Sequence, residues 1–223
     1  MSRYIKDMIN RGEGQQLDFK YCISDSRKIA KTLSAFANSS GGTLLIGVKD
    51  NGSITGVRDD EEAYMIDTAA RLFCKPEIEY EIAQHTAEGK SILEVRVKKG
   101  KRRPYKAKGE DGVWRPYARQ NDQNLVAGRV LTDVWIRESR KRPVFISFSE
   151  PERLIMQYLR ENSGITLSGF RRLAGISSSR ARNILVNMIL CNTISIKLDE
   201  KGASFTLPEE DSARGASLPD WQK

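Results

Sequence analysis

Residues 13–52 limit the fold of this chain more tightly than any other stretch. They run EGQQLDFK, then a helix-spaced segment ending in AFAN, then a Gly-Gly pair and TLLIGV closed by Asp-Asn-Gly. Residues 16–20 predict a short extended strand, and residues 26–38 a helix with Ile29, Leu33, Phe36 and Ala37 on one face. Asn38 ends that helix. Gly41 and Gly42 then allow positive φ, so that the chain can reverse into residues 43–48, an apolar run long enough for one buried central strand. Asp50-Asn51-Gly52 predicts a hairpin turn into Ile54 and Val57, with Asp50 at the exposed end of the strand. A strand–helix–strand unit with carboxylates near one strand end is a common place for a site.

The same letters carry a resemblance. The glutamate followed by the acidic-Phe-Lys triplet of Asp18-Phe19-Lys20, then AFAN, GG, an aliphatic run, IGV and Asp-Asn-Gly, resembles the Schlafen-type AlbA-like domain. The likeness extends to about Arg140 through Lys101–Tyr105 (KRRPY) and the strand Tyr117-Ala118-Arg119. It implies an α/β nucleic-acid-binding domain that in some members is a metal-dependent RNase, with paired domains forming a groove. The residues that hold a divalent metal in those members correspond to Glu13, Asp18 and Asp50. Three carboxylates suit Mg²⁺ or Mn²⁺, which prefer hard oxygen ligands and activate water. Asp18 stands where the family pattern has Glu, drawing its oxygens back by one methylene.

Charge points the same way. The 223 residues carry a formal net charge of +8, and residues 98–119 concentrate it, with Lys98, Lys99, Lys101, Arg102, Arg103, Lys106, Lys108, Arg115 and Arg119 against Glu110 and Asp111. Tyr105, Trp114 and Tyr117 are interleaved among them. Cations that track phosphates and rings that stack on bases make nucleic acid the expected polyanion, with Lys20 added from the first motif. Cys22, Cys74 and Cys191 are widely spaced and His85 is the only histidine, which argues against structural zinc, a disulfide framework and a catalytic triad. No phosphate-loop motif is present. No apolar run approaches the roughly 18 residues that span a membrane, and the first ten residues are too polar for a signal peptide, so a cytoplasmic location is expected.

The rest of the pattern predicts helices over residues 2–10, 59–73 (capped by Asp59) and 124–139, the last with Val126, Val130, Leu131 and Val134 inward. Strands are predicted over 78–83, 91–98, 105–108 and 113–119. One mixed sheet covered by helices accommodates all of them, an α/β (α+β) domain over residues 1–140. A basic linker follows at 141–150. Residues 151–207 then read as a winged helix-turn-helix: helices over 151–161, 167–174 and 178–190, and strands over 193–198 and 203–207. Its core is predicted from Leu154, Ile155, Tyr158, Leu159, Phe170, Leu173, Ile184, Leu185 and Met188. Such a fold leads into the major groove with the start of its third helix, here Ser178, Ser179, Arg180, Arg182 and Asn183, while Lys197 and Lys201 reach phosphate from the wing. The acidic residues 208–223 are expected to be disordered.

Together these readings predict a homodimeric DNA-binding transcriptional regulator, DNA being favoured over RNA. The alternative is a divalent-metal-dependent endonuclease that uses the three carboxylates.

Overall fold

The computed structural model describes residues 3–57, 61–140, 143–145 and 147–208. Position 2, the Asp59 cap, Lys141 and Arg142 of the linker, and the tail from residue 209 lie outside the described residues. The chain divides into two compact units, Met1–Pro143 with Leu198–Gly202, and Val144–Lys197 with Ala203–Lys223.

In the first unit, helix α1 (Arg3–Arg11) leads to strand β1 (Leu17–Lys20), helix α2 (Ser26–Asn38) and strand β2 (Gly42–Ile46). The two strands pair in parallel, Leu17 opposite Thr43 through Lys20 opposite Ile46, so α2 is the crossover that parallel pairing requires. Asp25 caps α2 by accepting from the Arg27 N–H at 2.8 Å. Its buried residues include Ile29, Thr32, Leu33, Ser34, Phe36 and Asn38, more than one stripe, because α2 packs against strands of two sheets.

Helix α3 (Glu61–Leu72), strand β3 (Cys74–Lys75) and the long hairpin β4 (Tyr80–Ala87) and β5 (Lys90–Val97) follow. Strands β6 (Lys106–Lys108), β7 (Trp114–Gln120) and β8 (Gln123–Val126) precede helix α4 (Arg129–Ser139). The mixed α/β class holds, but the strands form two four-stranded sheets, β1-β2-β5-β4 and β3-β6-β7-β8, rather than the single sheet expected. One core joins α2 and α3 to strands of both sheets, including Phe36, Leu44, Ile66, Val95 and Ala107. A second holds α1 on the opposite face of the first sheet through Ile5, Met8, Phe19, Leu45 and Ile92.

The helix expected over residues 124–139 starts five residues later. Asn121, at φ 54°, turns the chain so that Gln123 pairs with Gln120, and β8 runs antiparallel to β7. Val126 is consequently exposed, whereas Val130, Leu131 and Val134 are buried as their spacing requires.

Helix α5 (Glu150–Glu161), strand β9 (Ile165–Thr166), helix α6 (Leu167–Leu173) and helix α7 (Ser178–Leu190) lie in the second unit, with strands β10 (Ser195–Asp199) and β11 (Gly202–Thr206) apart from their connecting residues Leu198–Gly202. Its three strands order as β10-β11-β9. Pro151 sits in the first turn of α5, where its missing N–H costs nothing, and Ser177 caps α7 by accepting from the Arg180 N–H. Ile155, Leu159, Phe170, Leu185, Met188 and Phe205 are buried, Leu154 and Tyr158 half-buried, and Leu173 is exposed at the end of α6. No helix among the described residues is long and apolar enough to cross a membrane.

Candidate nucleic-acid interface and the carboxylate pair

β1 delivers Asp18 into the interior, where it is 3% exposed. Its Oδ1 accepts from Arg119 Nη2 at 3.1 Å, and its Oδ2 stands 3.1 Å from Lys20 Nζ and 3.5 Å from the Thr32 hydroxyl. Arg119 also donates to the carbonyls of Gly14 and Leu17 and to Asn124 Oδ1, and its guanidinium lies 5.3 Å from the centre of the Phe36 ring. A buried charge is tolerated only with such pairing. Arg119 therefore holds β7 and β8 to β1 and does not belong to a phosphate-facing set. Lys20 is partly occupied in the same way, since its Nζ also donates to the Phe19 carbonyl.

Glu13 lies beside Asp18. Its Oε1 accepts from the Phe19 N–H at 2.7 Å, and it borders a cleft of about 220 Å³ with Met8, Arg11, Gln16, Leu17 and Thr43. Burial, then the neighbouring Asp18 carboxylate, push Glu13 above the ordinary carboxylate range, against the opposing pull of the Phe19 N–H. Asp50 is exposed in the turn after β2. Among the described residues no three His, Cys, Asp or Glu side chains come together in a way that can hold a metal ion. The expected trio of Glu13, Asp18 and Asp50 is thus only a pair. Both Asp18 oxygens already face cations of the chain itself, so the donor set present does not fit Mg²⁺ or Mn²⁺.

The basic segment separates into two groups. Arg103 donates to the Asn38 carbonyl and to Glu138, Arg115 forms a two-pronged pair with Asp111, Lys98 pairs with Glu81, and Lys108 lies 6.0 Å from the Trp114 ring centre. Lys99, Lys101, Arg102 and Lys106 are exposed. The rings expected to offer themselves to bases do not all do so, because Tyr117 is buried and Tyr105 packs half-buried against the core.

The sequence reading missed what fixes this segment. Asn38 is fully buried, and its Nδ2 donates to the carbonyls of Tyr105 at 2.7 Å and Tyr117 at 2.8 Å while its Oδ1 accepts from the Tyr105 N–H at 2.7 Å. Ser34, one turn earlier, donates to the Tyr105 carbonyl as well. A polar pair at i and i+4 among the apolar residues Leu33, Ala35, Phe36 and Ala37 of the last turns of α2 was the available signal.

Ser178, Ser179, Arg180 and Asn183 are exposed on α7, as are Lys197 on β10 and Lys201 in the turn after it; Arg182 is half-buried. Ser147, Ser149, Ser177, Arg180, Asn183 and Asn187 are among the residues around a polar cleft of about 420 Å³.

Comparison with known proteins adds the following. The PCI domain model matches residues 151–207. A search of curated proteins finds no match. Among solved structures, the chain is similar to the DIP2311 protein from Corynebacterium diphtheriae, at 19% identity and TM-score 0.41, over 59% of this chain and 29% of that one. It is similar also to the N-terminal domain of a RecG-related protein from Nitrosomonas europaea, at 22% identity and TM-score 0.38, over 56% of this chain and 95% of that domain. The Schlafen AlbA_2 model matches residues 13–127, more than half of the chain and the whole span from the Glu13 carboxylate to the end of β8, so the chain belongs to the Schlafen AlbA_2 family.

Proposed function

We propose that this protein binds nucleic acid, and that it does so as a dimeric DNA-binding transcriptional regulator. The observation that carries the reading is the division of the basic segment. Internal partners take up Arg103, Arg115 and Arg119, and leave Lys99, Lys101, Arg102 and Lys106 exposed within eight residues of chain. Clustered exposed cations on a rigid support are an electrostatic footprint for phosphates. Membership of the Schlafen AlbA_2 family supports the same reading.

For the second unit the reading is a winged helix, supported by three helices, a three-stranded sheet and a final hairpin, with Arg180 and Asn183 exposed near the start of α7. In that arrangement α7 enters the major groove and Lys197 and Lys201 touch the phosphate backbone. A dimer would read two half-sites about one helical turn apart or a multiple of it, a spacing that a footprint measures directly. Filter binding of duplex DNA and single-stranded RNA tests the choice of polymer. Stronger binding of RNA under matched salt would overturn the regulator reading. Nothing in the carboxylate geometry favours the metal-dependent endonuclease, because Asp18 is neutralised from within.

A further inference from the structure

The two edges of the first sheet differ. At β1 the chain closes its own edge: the Leu17 carbonyl accepts from Arg119 and from the Gly14 N–H, Glu13 accepts from the Phe19 N–H, and Lys20 Nζ donates to the Phe19 carbonyl. At the other end of the order β1-β2-β5-β4, strand β4 has a neighbour on one side only. It runs for eight residues in unbroken register with β5, from Tyr80 opposite Val97 to Ala87 opposite Lys90. It carries no Pro, Lys or Arg and no bulge, the devices by which edge strands are kept from pairing further. Ile82, in the middle of this edge, is 44% exposed.

The turn of the hairpin fixes which backbone groups that edge presents. Glu88 and Gly89 take φ 53° and 71°, the two positive values of a type I′ turn, so Ala87 and Lys90 close the hairpin as a pair that exchanges both backbone hydrogen bonds. Bonded and non-bonded pairs then alternate along the ladder. Glu81, Ala83 and His85 therefore turn their N–H and C=O groups toward β5, whereas Tyr80, Ile82, Gln84 and Thr86 turn theirs outward. Among the described residues no donor or acceptor meets that outward row.

We propose that β4 is the interface between two copies of this chain, pairing antiparallel with β4 of the second copy so that the two first sheets become one. The proposal rests on the dimeric reading above and gives that dimer its surface. A second copy is the occupant because the row is self-complementary. With Ala83 opposite itself on the two-fold axis, Tyr80 meets the second copy's Thr86 and Ile82 its Gln84, and the reverse, so all four outward residues of each copy are used, in about eight hydrogen bonds. A shift of the axis to either neighbouring residue leaves an outward residue at one strand end without a β4 partner. The same register sets Glu81 opposite the second copy's His85, so no like charges face each other across the new ladder. Ala83, the smallest side chain of the central positions, falls at the closest approach, a non-hydrogen-bonded pair with Cα atoms about 4.5 Å apart.

The test is sedimentation equilibrium of the full chain and of two edge variants, with circular dichroism and thermal melts to show that each variant is folded. Wild type should sediment at twice the mass of one chain. Gln84→Pro removes an outward N–H at a place where an edge strand tolerates proline, and Ile82→Lys puts a charge on the edge; each should sediment as a monomer with an unchanged dichroism spectrum. Cross-linking checks the register. Ala83→Cys in mild oxidant should give a disulfide-linked dimer on a non-reducing gel, since its Cα spacing lies within the range that a disulfide spans. Thr86→Cys, whose two copies stand about 20 Å apart in this register, should give no more cross-link than wild type with its native cysteines. A dimer that survives both edge variants, or an Ala83→Cys chain that cross-links no better than wild type, overturns the proposal and leaves the dimeric reading standing. A wild-type chain that sediments as a monomer overturns both.

Discussion

Asn38 and Arg119 show how a residue legible as a motif letter takes its meaning from its partners. The AFAN motif marks a helix end in the sequence, but nothing in it reveals that Asn38 bonds backbone groups of Tyr105 and Tyr117, more than sixty positions away. Asn38→Ala removes those bonds, so that the Tyr105 N–H loses its side-chain acceptor and the Tyr117 carbonyl a donor, while the Tyr105 carbonyl keeps Ser34. A loss of about 3–5 kcal/mol is expected in urea denaturation. Asn38→Asp should be no better, since a carboxylate oxygen would face two carbonyls. Arg119 reads as one more cation in a basic run, yet the fold places it within hydrogen-bond reach of buried Asp18. Arg119→Lys loses the planar fork and should cost about 2–4 kcal/mol, while DNA affinity at a temperature where the variant stays folded should remain within about twofold. Glu94 offers a titration check. Burial raises its carboxyl, but the bonds from Arg96, Tyr4 and His85 outweigh this and hold it below the ordinary range. A carboxyl depressed by folding stabilises the protein above its unfolded value near about 4.3 and loses that contribution as pH falls through the folded value. The melting-temperature gap between wild type and Glu94→Gln should therefore be widest near neutrality and close on acidification.

Among elements, α2 and the turn after it were the most legible, because an amphipathic period and a Gly-Gly pair are local signals. The two glycines nevertheless serve different ends. Gly41 adopts φ 77°, and a Cβ there would stand 2.7 Å from the Val97 carbonyl oxygen, whereas a Cβ on Gly42 would stand 2.4 Å from the Phe36 ring. Gly41→Ala combines backbone strain with a backbone clash and should destabilise by more than about 2 kcal/mol; Gly42→Ala requires Phe36 to move and should cost about 1–3 kcal/mol. Thermal melts rank the two. The start of α4 was misread because residues 124–126 fit a helical period as well as a two-sided strand, and the Asn121 turn that decides between them carries a weak local signature. The split into two sheets was hidden for a related reason: which strands pair is a long-range outcome that no window of sequence contains.

At the scale of the whole molecule, net charge points to a polyanion partner, but counting cations overstated the surface. Packing commits arginines first, since their forks satisfy buried carbonyls and carboxylates, and it leaves lysines with Arg102 at the surface. The same economy weakens the metal site implied by the family resemblance, because Asp18 meets Arg119 and Lys20 inside the fold. The central claim is that Lys99, Lys101, Arg102 and Lys106 form a phosphate-binding surface. Its most direct test is the dependence of DNA affinity on salt for the full chain and for a variant with all four changed to serine. The claim predicts a linear fall of log K with log salt. In the variant the slope should be shallower by up to about 0.9 for each phosphate that is no longer neutralised, with weaker binding at every salt concentration. Equal affinity and equal slope in the two proteins would contradict it.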